Sequence, residues 1–93
     1  MSISHNTYFE GNVQSLGLDT SEGKATLGVM KKGAYTFSTS SPEKMKVLSG
    51  SLEAKLDDSG FQTYNEQEEF TVAAGVSFDV KCGTDVAYIC YYG

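Results

Sequence analysis

Histidine is nearly missing from this sequence. His5, in a polar stretch near the N-terminus, is the only one in 93 residues. A transition-metal site built on imidazole therefore has almost nothing to draw on. Long apolar runs are missing as well. None approaches the ~20 residues of a membrane span. The opening MSISHNTYFEG has no basic region followed by an apolar one, so no secretory signal is read there. A cytoplasmic location is the simplest expectation. Positive charge is scarce: seven Lys and Arg against twelve Asp and Glu give a net charge of -5. That balance argues against nucleic acid and against anionic membranes as partners. Phosphate, if bound, then needs a local pocket. Cysteine is limited to Cys82 and Cys90. In a reducing compartment these remain thiols, and two thiols form neither a zinc set nor a redox motif. Reading SFDVKC and DVAYICYY as a hairpin about Gly83-Thr84 sets Cys82 near the turn and Cys90 far from it, so they are expected to be unbonded and buried. Finally, no segment carries a sustained helical stripe.

What the chain has instead is alternation with a period near two, punctuated by ten glycines. YFEGNVQSLGL reads as an opening strand pair broken at Gly11, and SEG at 21–23 as a turn. KATLGVM and AYTFST flank Lys32-Gly33, a compact hairpin signal. A second hairpin is read about Gly50, where Leu52, Ala54 and Leu56 alternate with Glu53 and Lys55. DDSG at 57–60 is a turn, and EEFTVAAG and SFDVKC are short strands separated by Gly75. The last run, Val86 to Tyr92, is apolar on both parities and calls for cover on both faces. The reading is all-β: one domain over residues 1–93, a small closed β-barrel or jelly roll. Such a chain has a thin core. A homodimer built on sheet edges or an outer sheet face is the expected assembly.

Chemistry concentrates in YTFSTSSPEKMKVLSG, Tyr35 to Gly50. Thr36, Ser38, Thr39, Ser40 and Ser41 precede an acid, Glu43. Glu43 lies seven residues before Gly50, Thr39 four before Glu43, and Phe37 two before Thr39. That spacing resembles the first motif of the cupin barrels: His-x-His, three residues, Glu, six residues, Gly. Phe37 and Thr39 stand where metal cupins carry histidines, and Gly33 sits nearer than the motif's leading glycine. A register with Ser38 and Ser40 inward is disfavoured by parity. Met45 and Val47 share Glu43's parity, while Lys44 and Lys46 fall on the other face. Tyr35, Phe37 and Thr39 are thereby assigned to the lumen. AAGVSF has the spacing of the second cupin motif, Pro-x-Gly-x-x-His, with Ala73 for proline, Gly75 kept and Phe78 for histidine. No metal is expected.

The whole chain resembles the pyrimidine/purine nucleoside phosphorylases, short single-domain bacterial cupins. The resemblance rests on YFEGNVQSLGL, ATLGVMKKGAYTFSTSSPEKMKVLSGSLEAKL, SFDV and AYICYY. Two departures stand out: VAAGVSF lacks a proline after the valine, and CYYG replaces an arginine-containing ending. The resemblance implies phosphorolysis of purine and pyrimidine nucleosides to free base and ribose 1-phosphate, with inorganic phosphate as co-substrate and no other cofactor. Within it, Glu43 and Thr39 are the expected catalytic pair. Glu43 would steady the sugar as it becomes cationic, and Thr39 would donate to phosphate. Ser40 and Ser41 are candidate donors at the rim. Tyr35, Phe37, Phe78 and Tyr88 are candidate platforms for the base, since stacking tolerates many bases. A non-catalytic sugar- or nucleotide-binding cupin would use the same pocket without turnover, and a structural dimer module would take no ligand.

Overall fold

A computed structural model describes residues 3–92. Ten strands run through it: β1 (His5–Tyr8), β2 (Val13–Thr20), β3 (Gly23–Met30), β4 (Gly33–Ser38), β5 (Glu43–Ser49), β6 (Leu52–Lys55), β7 (Gln62–Tyr64), β8 (Glu69–Val72), β9 (Ser77–Cys82) and β10 (Val86–Tyr92). A tight left-handed turn, Phe9–Gly11, joins β1 to β2. Among the described residues no helix is long and apolar enough to cross a membrane.

The strands form two facing sheets. One has six strands in the order β1-β2-β3-β10-β5-β8, the other four in the order β4-β9-β6-β7. Period-two alternation sends one side-chain set into the gap between them. From the larger sheet come Val13, Met30, Met45, Val47, Val86, Tyr88 and Cys90; from the smaller come Tyr35, Leu52, Ala54, Phe78, Val80 and Cys82. Each fully buried Val or Leu contributes about 1.5–3 kcal/mol. The parity argument for β5 holds: Met45 and Val47 are buried, and Lys44 and Lys46 face outward.

The jelly-roll reading holds, while three of the hairpins do not. β3 and β4, β5 and β6, and β9 and β10 lie in different sheets. The turns at Lys32-Gly33, Gly50 and Gly83-Thr84 are corners that carry the chain across the sandwich. Alternation and a glycine mark where a chain turns, but both sheets need the same inward pattern, so a corner and a hairpin look alike. The hairpins that do form join β1 to β2, β2 to β3 and β6 to β7. Nor do the sheets close into one ladder; β1, β8, β4 and β7 are edges. Cys82 and Cys90 are free and buried, as read, but they sit in opposite sheets rather than in one hairpin.

Gly50 shows what a corner demands. Its φ is +83°, and a Cβ there would lie 2.7 Å from the Asp85 carbonyl oxygen. Backbone rather than a flexible side chain blocks the space. Gly50→Ala is therefore expected to destabilise the fold by about 1–3 kcal/mol, read as a lower denaturation midpoint at unchanged slope. A midpoint equal to wild type would mean the corner relaxes freely.

Candidate functional site

Glu43 opens β5 immediately after Pro42. Its register partners are Tyr92 on β10 and Val72 on β8. Inward parity points its carboxylate into the gap between the sheets, where the side chain is half-buried. The gap holds a cavity of about 300 Å³ there, lined by Glu43, Phe9, Phe37, Phe78, Tyr88 and Cys90 among others. Among the described residues, Glu43 is the only charged one in that lining.

Among the described residues the carboxylate has one partner: the Cys90 thiol donates to Glu43 Oε1 at 3.4 Å. Burial raises the Glu43 pKa, and the Cys90 hydrogen bond opposes the rise. The Cys90 thiol is pushed up to about 12, first by burial and then by the neighbouring Glu43 charge. It thus stays protonated at neutral pH, as a donor rather than a nucleophile. Burial also pushes the Tyr92 phenol up to about 12, and raises that of Tyr88. The Tyr92 hydroxyl pairs with Thr26 Oγ1 at 2.9 Å. Tyr88 lies over Gly28 of the neighbouring strand, where a Cβ would collide with its ring. One wall is aromatic. Phe37 stacks on Phe78 with centroids 5.7 Å apart, and Phe9 meets Phe37 edge-on at 5.5 Å.

The structure brings together Glu43, Phe37, Phe78 and Tyr88 of the residues singled out from sequence. Tyr35 is buried beside this group, 4.9 Å from Phe9 between ring centroids, with its hydroxyl donating to the Lys31 carbonyl. Ser40 is exposed and Ser41 half-buried, and neither lines the cavity. Thr39 requires a correction. It is buried, as its parity requires, but its hydroxyl is not offered to the lumen. Oγ1 donates to the Ala73 carbonyl at 2.7 Å and accepts from Val76 N–H at 3.2 Å. Its backbone N–H reaches the Val76 carbonyl and its carbonyl accepts from Gly75 N–H. Thr39 thus fastens the β4–β5 crossing to the β8–β9 corner.

Sequence reasoning passed over Tyr8, Phe9, Ser15, Cys90 and Tyr92, all of which line the cavity. For Cys90 and Tyr92 the signal was present: both share Tyr88's parity on β10. For Phe9 there was none, because its direction is set by the turn after β1. His5 is not in this lining; it pairs with Gln14 at 3.0 Å. Among the described residues no group of three or more His, Cys, Asp or Glu is arranged to hold a metal ion.

Two facing sheets enclosing a lumen, with the acid of the first motif turned inward, define a cupin-type domain. The likeness to solved structures agrees. A cupin superfamily protein from Desulfitobacterium hafniense superposes with a TM-score of 0.71 at 15% identity, over 91% of this chain and 80% of that one, which speaks to the fold alone. An unknown function protein from Vibrio parahaemolyticus superposes with a TM-score of 0.91 at 38% identity, over 97% of both chains. Residues 3–92 match the family described as Pyrimidine/purine nucleoside phosphorylase. The Rhodopirellula baltica protein of that name is 47% identical over 88 residues, covering 94% of this chain and 96% of its own. The chain belongs to the pyrimidine/purine nucleoside phosphorylase family.

The Thr39 fastening can be tested directly. Thr39→Val keeps the shape but leaves the Ala73 carbonyl and Val76 N–H without this partner. Destabilisation of about 1–3 kcal/mol is expected, measured by denaturant unfolding. Wild-type stability in Thr39→Val would show that the corner does not depend on the hydroxyl.

Proposed function

We propose that this protein cleaves the glycosidic bond of purine and pyrimidine nucleosides with inorganic phosphate, as a pentosyltransferase of broad base specificity that needs no metal. Family membership supports the reaction class. The observation that carries the site is a lone carboxylate, Glu43, set among aromatic rings in the lumen.

In the proposed reaction a phosphate oxygen bonds to the anomeric carbon as the bond from that carbon to the base nitrogen breaks. The electron pair of the broken bond leaves with the base. The proton of hydrogen phosphate accompanies it, giving neutral free base and ribose 1-phosphate. Charge develops on the sugar between these events, and the ionised Glu43 stabilises it or holds the ribose hydroxyls. Cys90 aims that carboxylate. No Lys or Arg lines the cavity, so neutral donors hold the phosphate, and Ser15 and Tyr88 are the hydroxyls in the lining that suit this. The serines Ser40 and Ser41, which lie outside the cavity lining, take no direct part in this step. Thr39 contributes by anchoring the crossing four residues before Glu43.

The decisive assay is phosphate-dependent release of uracil from uridine and hypoxanthine from inosine by chelator-treated protein. Activity is expected to survive chelation; activity lost on chelation and restored by a divalent ion would sink the metal-free reading. Saturable nucleoside binding without turnover would make the protein a binding module instead. Glu43→Gln should lower turnover by about 10²–10³, the scale of one preorganised electrostatic contact. The same variant reports the raised Glu43 pKa. A carboxyl whose pKa rises on folding binds more protons in the native state, so stability falls as pH climbs from the ordinary Glu range through the raised value. Glu43→Gln escapes that loss. It should melt at or above the wild-type temperature at neutral pH, and the difference should vanish in acid. Near-wild-type kinetics in this variant would place the chemistry elsewhere.

The proposed working form is a cytoplasmic homodimer joined through the outer face of the six-stranded sheet. Leu16, Leu27 and Ile89 make one cross-strand row on that face, and Gln14, Val29 and Ala87 the next. Leu27 is 46% and Val29 56% exposed, and a hollow of about 660 Å³ opens between these rows. By strand spacing and rise these two rows cover roughly 200 Å², so the flanking strands of the same face would supply the rest of the ~800 Å² per partner of a stable interface. A two-fold pair needs only this one patch. Sedimentation should give a dimer at micromolar concentration and a monomer for Leu27→Asp. A monomeric wild type would refute the interface.

A further inference from the structure

The residues of the aromatic wall are unequal, and their exposure ranks them. Phe78 is only 3% exposed, so it has no free face to offer. Phe37 is half-buried, with one side taken by Phe78 and an edge contact to Phe9. Phe9 is 41% exposed although it lines the cavity and packs on both Tyr35 and Phe37. Of the three phenylalanines it has the largest open face.

The backbone that delivers this ring is unusual. Phe9 has a φ of 52°, Glu10 58° and Gly11 92°, three left-handed residues in a row, two of them not glycine. L side chains rarely adopt that conformation. The turn is held in place: Asn12 N–H donates to the Phe9 carbonyl at 3.1 Å, and Gln14 Nε2 donates to the Gly11 carbonyl at 3.0 Å. Glycine or asparagine would make the same reversal with less strain. Strain of this kind persists where surrounding contacts impose it, and it gathers at ligand sites. Here it keeps an exposed phenyl ring between the Glu43 cavity and a neighbouring hollow lined by Tyr35 and Phe61.

We propose that Phe9 is the residue on which the nucleobase stacks, with Phe37 and Phe78 serving as the wall that fixes its ring. The inference deepens the nucleoside reading and rests on it. The recognised chemistry is the π-face of a purine or pyrimidine. Every base has one, so a single exposed ring suits a site without a fixed hydrogen-bond code. The ribose then lies inward, toward Glu43.

The test is steady-state phosphorolysis of inosine and of uridine, with nucleoside and phosphate varied in turn, for wild type, Phe9→Ala, Phe9→Leu and Phe9→Tyr. Phe9→Ala should raise the nucleoside KM by about 10-fold or more, the scale of a lost base–aromatic stack. The increase should be larger for inosine, whose base is bigger, and the phosphate KM should stay put. Phe9→Leu, which keeps bulk without a π-face, should share the defect, and Phe9→Tyr should restore wild-type values. An unchanged nucleoside KM in Phe9→Ala and Phe9→Leu, with wild type active, would overturn the role of Phe9 alone. So would equal rises in both KM values, which would mark a structural effect. A wild-type protein that neither turns over nor binds either nucleoside would overturn this inference together with the reading beneath it.

Discussion

The fold depends on one strand held from both sides. β10 pairs with β3 over Val86–Tyr91 and with β5 over Ala87–Tyr92, the latter with one bulge between Ala87 and Tyr88, so its backbone has little freedom to slide. A slip of one residue would turn Val86, Tyr88 and Cys90 out of the core and bring Ala87, Ile89 and Tyr91 in. Because the ladders forbid that slip, the position of every inward β10 side chain follows. Tyr88 is laid across Gly28, and Cys90 reaches the carboxylate that β5 contributes. The site is the consequence of a register.

That register puts a carboxylate where the alternation otherwise puts Met45 and Val47. Burial raises the energy of its charged form, which is why its pKa rises. A single thiol donor is weak compensation for lost water. An acid seated this way turns its remaining acceptor capacity toward a cavity, which is what the proposed reaction would ask of it. The lining also carries no cation against an incoming phosphate. In the proposed reaction neutral donors would then do the work of attraction at short range, and phosphate would meet little long-range pull from this face of an acidic protein.

How far the sequence disclosed this can be judged residue by residue. The inward set of β5 was legible because Met45 and Val47 alternate with two lysines, and only one register is tolerable for them. Spacing then carried Glu43 into the lumen with them. The pairing of strands was far less legible. Lys32-Gly33, Gly50 and Gly83-Thr84 look like hairpin turns because a corner between sheets imposes the same alternation on both flanks. Thr39 was placed on the right face, yet its hydroxyl is consumed by residues 73–76, more than thirty positions away. No local pattern encodes a long-range hydrogen bond. Phe9 was illegible for a different reason. Its direction comes from left-handed backbone at two non-glycine residues, which composition rules weigh against.

The open ends of the two sheets tie these points together. A fully closed barrel of this size would fill its interior with side chains. Here the sheets part beside β1 and the start of β5, and the strained turn after β1 reaches into the opening. The same lack of closure that leaves four edge strands also leaves room for a ligand beside Glu43. Strain at residues 9–11 and a half-buried carboxylate both weaken a small domain that has little stability to spare. They coincide in one place, and association through the outer face of the larger sheet would offset them without obstructing the cavity on the inner face.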